Sequence, residues 1–250
     1  MATSDLLLSA KNVTKRFGGL AAVNDVSVDL WRGRIHAVIG TNGAGKSTLA
    51  NLISGDLRPT SGTISLNGQN VTGWAPEKLS RAGLGRSYQK TNIFLPLSVW
   101  DNVRLAAQSR APMAYKWILP AAAVSAVNDR AQRAIDLCGL GQRQSTIAGV
   151  CSHGEQRQLE IAMALATDPQ VLLLDEPLAG MGTAEAERMI ALLLTLKKDH
   201  AMMLVEHDMD AVFTLADHLT VMVNGQTIAS GLPSAVRADP AVQTAYLGED

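Results

Sequence analysis

The chain has 250 residues, of which 47% are hydrophobic, so it is long and apolar enough to form one large globular domain with a sizeable core. Its formal net charge of -1 excludes a broad positive field of the kind that binds nucleic acid or an anionic membrane surface. We therefore predict that partners are recognised by local features and that nucleic acid is not among them.

Membrane-spanning and exported classes are also disfavoured. The longest nearly uncharged apolar stretch, Trp117–Val127, contains Pro120 and falls short of the roughly 20 residues that a spanning helix needs. The apolar run at 6–8 has neither a basic start nor a cleavage site and is typical of a short strand. We expect a cytoplasmic chain in which Cys138 and Cys151 are reduced and have no chemical role.

Strand and turn signals dominate the first third of the chain. Val26, Val28 and Leu30 alternate with polar residues, and after a turn at 31–34 the apolar run 35–39 predicts a buried strand. A hairpin is then predicted over 63–71, because its two strand-like halves flank Asn67-Gly68, a pair suited to a type I′ turn.

Helical spacing replaces these signals between Ser98 and Leu165, for example at Ala131, Ala134 and Ile135, and predicts a helical insert. Strand character returns at 171–174, 202–205 and 219–223, with helix-like segments between. This alternation predicts a parallel sheet and an α/β fold. Asn224-Gly225 marks a last hairpin, followed by short helices over 233–245.

A phosphate-binding loop is predicted at 40–47, where the sequence matches G-x-x-x-x-G-K-[ST] between the apolar strand 35–39 and a helix-compatible run. Its glycines let backbone amides surround a phosphate, and the helix N-terminus adds partial positive charge. Lys46 would neutralise the β- and γ-phosphates, and Ser47 would bind Mg²⁺. The predicted nucleotide-binding residues here are Gly40, Thr41, Asn42, Gly43, Ala44, Gly45, Lys46, Ser47 and Thr48.

Two adjacent carboxylates, Asp175 and Glu176, end the apolar strand 171–174. Asp175 is the candidate for holding Mg²⁺, and Glu176 is the candidate general base for the attacking water. Taken alone, an apolar strand that ends in solvated acids is an equally good interpretation. Together with Lys46, the pair indicates nucleotide hydrolysis.

A third motif precedes this strand, at 151–157, with Ser152 and Glu155 in the S-x-x-E spacing of a capping box. Gly154 would leave the first-turn amides open to a phosphate. With 159–162 and Leu165, the segment resembles the signature sequence of ABC ATPases. In that family two cassettes enclose two ATP molecules, and the signature helix of one meets the γ-phosphate bound by the other.

The resemblance implies roles for further residues. Phe17 is similar to the aromatic that stacks on adenine, Gln89 to the Q-loop glutamine near Mg²⁺ and the attacking water, and His207 to the switch histidine at the γ-phosphate. The implied catalytic residues are Glu176, His207, Gln89 and Lys46; the implied metal ligands are Ser47, Gln89 and Asp175; and the cofactor-binding set adds Phe17, Ser152, Gly154 and Glu155 to the phosphate loop.

The resemblance covers essentially the whole chain and implies an α/β P-loop NTPase (RecA-like) fold, with a mixed-sheet core, an antiparallel β subdomain and an inserted α-helical subdomain. We expect one ABC ATPase domain over 1–250. Its nucleotide-binding core with the β subdomain would occupy 1–97 and 166–250, and its helical subdomain 98–165.

Implied cofactors are ATP and Mg²⁺. Implied partners are a second ABC ATPase subunit, identical or related, two transmembrane permease subunits and, indirectly, a solute-binding protein, which would place the chain peripherally on the cytoplasmic side of the inner membrane. The segments 179–181, 206–209 and 245–249 are similar to ATPase subunits of branched-chain, or hydrophobic, amino acid importers. Subunits for urea, amide or aromatic-acid uptake carry similar marks, and a soluble ABC ATPase not coupled to transport is an alternative that the chain length disfavours.

Two further features stand apart. Cys151 and His153 replace the usual Leu and the usual Gly or aromatic of the signature, and a histidine there would make phosphate engagement sensitive to pH. Apolar residues at 93–95, and at Tyr115 and 117–119, are candidates either for a docking surface toward a membrane subunit or for ordinary core.

Overall fold

A computed structural model describes residues 5–89, 91–110 and 125–247, with side chains described up to residue 244. The chain divides into two compact units. The first comprises the residues up to Leu84, Gln170–Glu176 and the residues from Leu193 onward, and the second comprises Gly85–Pro169 and Pro177–Leu192. The second unit includes the segment 98–165, whose status as a subdomain by itself stays a prediction.

An antiparallel sheet in the first unit contains β1 (Leu6–Phe17), β2 (Leu20–Trp31), β4 (Ser61–Leu66) and β5 (Gln69–Asn70), in the order β2-β1-β4-β5. Asn67 and Gly68, between β4 and β5, both have positive φ, at 51° and 75°, as a type I′ turn requires. β1 is longer than its predicted three residues because shifts of register let it bend along β2 for 12 residues.

The second sheet contains β3 (Ile35–Gly40), β6 (Leu84–Arg86), β7 (Val171–Asp175), β8 (Ala201–Val205), β9 (His218–Val223) and β10 (Gln226–Gly231), in the order β10-β9-β3-β8-β7-β6. β3 lies parallel to β8 and β9, and β7 lies parallel to β8. β3, β7 and β8 are buried along their whole length, as expected for apolar strands covered on both faces. The carboxyl ends of these parallel strands therefore share one edge of the sheet.

One hydrophobic cluster fills the first unit between its two sheets and α1 (Lys46–Ile53), with Leu30, Leu49 and Met203 among its fully buried members. The other helices of this unit are α2 (Pro76–Arg81), α7 (Met209–Leu215), α8 (Pro233–Arg237) and α9 (Pro240–Leu247). α6 (Thr183–Leu196) begins in the second unit and ends in the first. The mixed sheet core with its antiparallel subdomain confirms the predicted fold class.

Helices form the second unit, as their spacing predicts: α3 (Val99–Gln108), α4 (Ser125–Leu137) and α5 (His153–Leu165), with short 3-10 turns at Gly141–Arg143 and Ala148–Val150. Val103, Ile135 and Leu159, one from each helix, are fully buried. Phe94 and Leu95 are half exposed, whereas Tyr115 and 117–119 lie outside the described residues. No helix in the described part of the chain has the length and apolar character to cross a membrane.

Candidate functional site

The phosphate loop connects β3 to α1, and glycine is required at two of its positions. Gly45 caps α1 with φ 98°, and a Cβ there would lie 2.3 Å from the carbonyl oxygen of Ala22. A Cβ on Gly40 would lie 2.2 Å from the carbonyl oxygen of Met222. Both distances are far below contact, so only a bare Cα lets the loop pass this close to its neighbours.

Two backbone hydrogen bonds hold the loop from behind. The amide of Gly225, in the turn between β9 and β10, donates to Ala44 O at 3.0 Å, and the amide of Asn24 in β2 donates to Gly225 O at 2.8 Å. A Cβ on Gly225 would lie 2.9 Å from the carbonyl oxygens of Ala21 and Ala22, so glycine is needed here too. The predicted hairpin turn at 224–225 thus also buttresses the phosphate loop.

Lys46, the first residue of α1, folds back over the loop. Its Nζ donates to Gly40 O at 2.7 Å and to Thr41 O at 3.1 Å, and the residue is 8% exposed. Burial lowers the pKa of Lys46, and the nearby carboxylates of Glu176 and Asp175 act in the opposite direction by raising that pKa. The ammonium group therefore lies in the loop where a phosphate would bind, and it interacts electrostatically with two nearby carboxylates.

Asp175 and Glu176 follow β7 at the same edge of the sheet. Asp175 is buried at the strand end and pairs in register with Val205. Glu176 has φ 50°, a left-handed conformation that is strained for a residue with a side chain, and its amide donates to Val205 O at 2.9 Å. Strain of this kind persists where the surrounding structure enforces it, and it clusters at functional sites.

His207 faces that carboxylate from the next strand end. Its Nδ1 lies 3.8 Å from Glu176 Oε1 and 4.0 Å from Oε2 of Glu206, while its side chain stays 63% exposed. Glu206 is almost fully buried, and its Oε2 accepts a hydrogen bond from the His207 amide at 3.2 Å. The imidazole thus lies between a half-buried and a buried carboxylate with its open side toward solvent.

Phe17, at the end of β1, has a ring that is free to stack on a base. The residue is 50% exposed, and the ammonium of Lys15 lies 5.1 Å from the ring centroid. An exposed aromatic face beside a cation suits an adenine that carries phosphates, although base stacking alone is only loosely selective.

A magnesium ion fits the donor set of this edge. Ser47 is exposed in the first turn of α1, and Asp175 ends β7, so the edge offers a hydroxyl and a carboxylate, the oxygen ligands that Mg²⁺ prefers. The described residues contain no group of three or more His, Cys, Asp or Glu side chains that could hold a metal by themselves.

The predicted capping box is confirmed at the start of α5, in the second unit. Ser152 Oγ accepts from the Glu155 amide at 3.2 Å, and Glu155 Oε2 accepts from the Ser152 amide at 2.9 Å. Arg143 Nε donates to the other Glu155 oxygen at 2.8 Å. His153 is exposed in the first turn, and a Cβ on Gly180 would lie 3.3 Å from its ring.

A buried ion pair in α5 holds the segment that carries Gln89. Arg157 Nη1 lies 2.8 Å from Glu160 Oε2, and both side chains are about 95% buried, with 4% and 5% of their surface exposed. Arg157 also donates to the carbonyl oxygens of Tyr88 and Gln89, and Glu160 Oε1 accepts from the Tyr88 amide at 2.9 Å. The backbone on either side of Gln89 is thereby tied to the signature helix within the second unit.

The structure brings Lys46, Asp175, Glu176 and His207 together at one edge of the first unit, and it places Gln89 and the signature residues in the second unit. Sequence reasoning missed the contributions of Glu206, Arg157, Glu160 and Glu185. Arg157, Glu160 and Glu185 lie in helices, where a charged residue usually belongs to a solvated face, and Glu206 directly follows a strand. Only the neighbouring motif at 152–155 and His207 signalled a functional site nearby.

Known proteins resemble the chain over almost its entire length. The family described as ABC transporter matches residues 23–179, and the family described as branched-chain amino acid ATP-binding cassette transporter matches residues 226–250. The high-affinity branched-chain amino acid transport ATP-binding protein LivG of Escherichia coli K12 is 36% identical, over 98% of this chain and 99% of its own. BraF of Pseudomonas aeruginosa, which carries the same description, is also 36% identical, over 97% of this chain and 98% of its own.

Solved structures agree with this relationship. A nucleotide-free ATP-binding cassette from an ABC transporter superposes with a TM-score of 0.85 at 30% identity, over 98% of this chain and 100% of that one. The ADP conformation of an ATP-binding cassette gives a TM-score of 0.84 at 31% identity, over 98% and 99% of the two chains. The chain therefore belongs to the ATP-binding proteins of ABC transporters, in the group that contains LivG and BraF.

Proposed function

We propose that this chain is the ATP-hydrolysing subunit of an importer and energises uptake of branched-chain or related hydrophobic amino acids. The observation that carries the proposal is the convergence of Lys46, Asp175, Glu176 and His207 at the carboxyl ends of parallel strands in one sheet, beside the phosphate loop. Open α/β sheets bind their ligands at this edge. A non-hydrolysing regulatory cassette would lack the base or the histidine.

Each residue has a role in hydrolysis that its position supports. The loop 40–48 wraps the triphosphate with backbone amides, and Lys46 exchanges its carbonyl partners for the β- and γ-phosphates. Glu176 orients the attacking water and accepts its proton, while His207 contacts the γ-phosphate from the other side. Phe17 stacks on the adenine.

Ser47, Asp175 and Gln89 are the residues that would hold Mg²⁺. When bound, the ion neutralises charge that develops on the transferred phosphoryl group. Asp175 suits this role because it is buried at the strand end and oriented by the β7–β8 pairing. Gln89 suits a sensing role, because its backbone is fastened to α5 through Arg157.

Catalysis in this proposal needs a second cassette, identical or related. Ser152, Gly154 and Glu155 begin a helix of 13 residues, and the N-terminus of such a helix attracts a phosphate. That phosphate belongs to ATP bound by the partner cassette. Closing the pair would drive two transmembrane permease subunits, which receive solute from a binding protein and keep this chain peripheral on the cytoplasmic side of the inner membrane.

The amino acid cargo is proposed from the group to which the chain belongs. The ribose import ATP-binding protein RbsA of Rhodococcus jostii is 32% identical over 98% of this chain and 47% of its own, so identity near this range spans relatives with different cargoes. The match of residues 226–250 to the branched-chain group and the 36% identity to LivG and BraF favour amino acids over urea, amides or aromatic acids.

Replacing Glu176 with Gln tests both parts of the proposal. In the complex with its membrane subunits, E176Q should retain ATP, lose at least about 100-fold in hydrolysis rate, and abolish leucine uptake, since the general base is gone while the shape is kept. Phosphate release and uptake of labelled leucine, ribose and urea are the measurements, with the exposed Glu187→Gln as the matched control.

Hydrolysis by E176Q at the wild-type rate would refute the catalytic assignment. Loss of hydrolysis in E176Q, together with ATP-dependent uptake of ribose or urea instead of leucine by the wild-type complex, would refute only the cargo.

A further inference from the structure

The carboxylate of Glu185 lies on the N-terminus of the signature helix α5. Glu185 belongs to the first turn of α6, and Ser152 Oγ donates to its Oε1 at 2.9 Å. A Cβ on Gly154 would lie 2.8 Å from both Cδ and Oε1 of Glu185, so the carboxylate rests directly against the bare Cα of Gly154. An anionic group of this same chain thus already occupies the start of the helix.

The hydrogen bonds of Ser152 make this occupancy exclusive. A serine hydroxyl has a single proton to donate. Because Ser152 Oγ accepts from the Glu155 amide, its donated bond is the one to Glu185. Ser152 can donate this hydrogen bond to a phosphate oxygen only after its hydrogen bond to Glu185 is broken.

Charge works in the same direction. Glu185 lies in the first turn of α6 and against the first turn of α5, and the partial positive charge of both helix ends stabilises its carboxylate. A phosphate that arrived at Gly154 would bring further negative charge to within contact of that carboxylate, and like charges at contact repel. The helix end can therefore hold one of the two anions but not both.

We propose that Glu185 is an internal anion that blocks the phosphate-binding position of the signature helix and must move away before Ser152 can bind ATP held by the second cassette. This proposal rests on the proposed function, in which the helix contacts that nucleotide. The contact is autoinhibitory, because the signature helix cannot bind the nucleotide of the second cassette until ATP displaces the Glu185 carboxylate. ATP must therefore reach a higher concentration to close the pair than the phosphate contacts alone would require.

The test measures ATP hydrolysis against ATP concentration in the complex with its membrane partners, purified through a tag on this chain. Glu185→Gln keeps the size of the side chain but removes its charge, and should lower KM for ATP by about three- to tenfold with little change in kcat, because one charge-assisted hydrogen bond no longer competes. Glu185→Ala, which removes the acceptor altogether, should lower KM at least as much. Glu187→Gln, two residues along α6 and exposed, is the matched control and should leave KM unchanged.

Equal or higher KM in both Glu185 variants would overturn the proposal, and a higher KM would instead identify Glu185 as a residue that positions Ser152 for catalysis. Ser152→Ala separates this failure from failure of the proposed function. If S152A is impaired while the Glu185 variants match wild type, only the blocking role is wrong. If S152A hydrolyses ATP like wild type, Ser152 does not act on nucleotide, and both the blocking role and the part of the proposed function that places ATP of a second cassette at this helix are wrong.

Discussion

At the scale of single residues, backbone conformation decides which positions of the phosphate loop tolerate a side chain. Gly43 and Gly45 both have positive φ, at 81° and 98°, and both belong to the predicted motif. A Cβ on Gly43 would meet nothing within 4 Å, whereas a Cβ on Gly45 would lie 2.3 Å from Ala22 O. The two glycines therefore carry different constraints that the motif alone does not separate.

Gly45→Ala should destabilise the fold by several kcal/mol and abolish ATP binding, because the loop must shift away from β2 to admit the methyl group. Gly43→Ala should cost only about 1 kcal/mol, the strain of a left-handed alanine. Urea unfolding and titration with a fluorescent ATP analogue measure both effects. Similar losses in the two variants would show that conformation, and not the contact with Ala22, sets the requirement.

The sequence predicts the site residues that belong to contiguous motifs and misses those that act through a neighbour. Lys46 and Glu176 follow strands whose apolar runs are plain, so their meeting at one sheet edge is foreseeable. Glu206 also follows a plain apolar strand, but nothing along the chain shows that its side chain turns inward to about 1% exposure. The positive φ of Glu176 is likewise invisible in the sequence, since it depends on tertiary contacts such as the hydrogen bond to Val205.

At the scale of elements, α5 combines two functions. Its N-terminus presents Ser152 and Gly154, and one turn further on its buried face carries Arg157 and Glu160, which hold the backbone around Gln89. The predicted helix and its capping box are confirmed. The ion pair was unforeseeable, because two charges at i and i+3 usually lie on a solvated face.

Glu160→Gln should destabilise the chain by about 3–5 kcal/mol, since it leaves the buried guanidinium of Arg157 without its counter-charge. Denaturant unfolding measures the loss, and the control Glu187→Gln on exposed surface should stay within about 0.5 kcal/mol of wild type. A loss below about 1 kcal/mol for E160Q would mean that the pair is neutral in stability and matters only for holding the segment near Gln89.

At the scale of the whole molecule, a buried histidine links stability to pH. His36 in β3 is 6% exposed, with Nδ1 3.1 Å from Asp29 O and Nε2 2.8 Å from Thr220 Oγ1, and the ring of His218 lies 4.6 Å away. Burial lowers the pKa of His36 from 6.5 to about 4, with the hydrogen bond to Asp29 raising it and His218 lowering it further. The folded chain therefore favours a neutral imidazole.

His36 becomes protonated below about pH 6.5 in the unfolded chain, but only below about pH 4 in the folded chain. The free energy of unfolding should therefore fall as the pH is lowered from 6.5 to 4. The full contribution is about 3 kcal/mol, from 1.36 kcal/mol for each unit of pKa. His36→Gln should be less stable at pH 7, but its free energy of unfolding should change less between pH 6.5 and 4. Burial also lowers the pKa of His218, so some dependence on pH should remain in this variant. Parallel curves of unfolding free energy against pH for the two proteins would contradict this.

The hydrogen bond from Gly225 to the phosphate loop has a consequence for the order in which the site can form during synthesis. β3 appears early in the chain, but its neighbours β8 and β9 begin at Ala201 and His218, and the loop leans on Gly225. During synthesis, the phosphate loop is translated well before β8, β9 and Gly225, the elements that support it. Nucleotide affinity should therefore arise only after Gly225 has been translated.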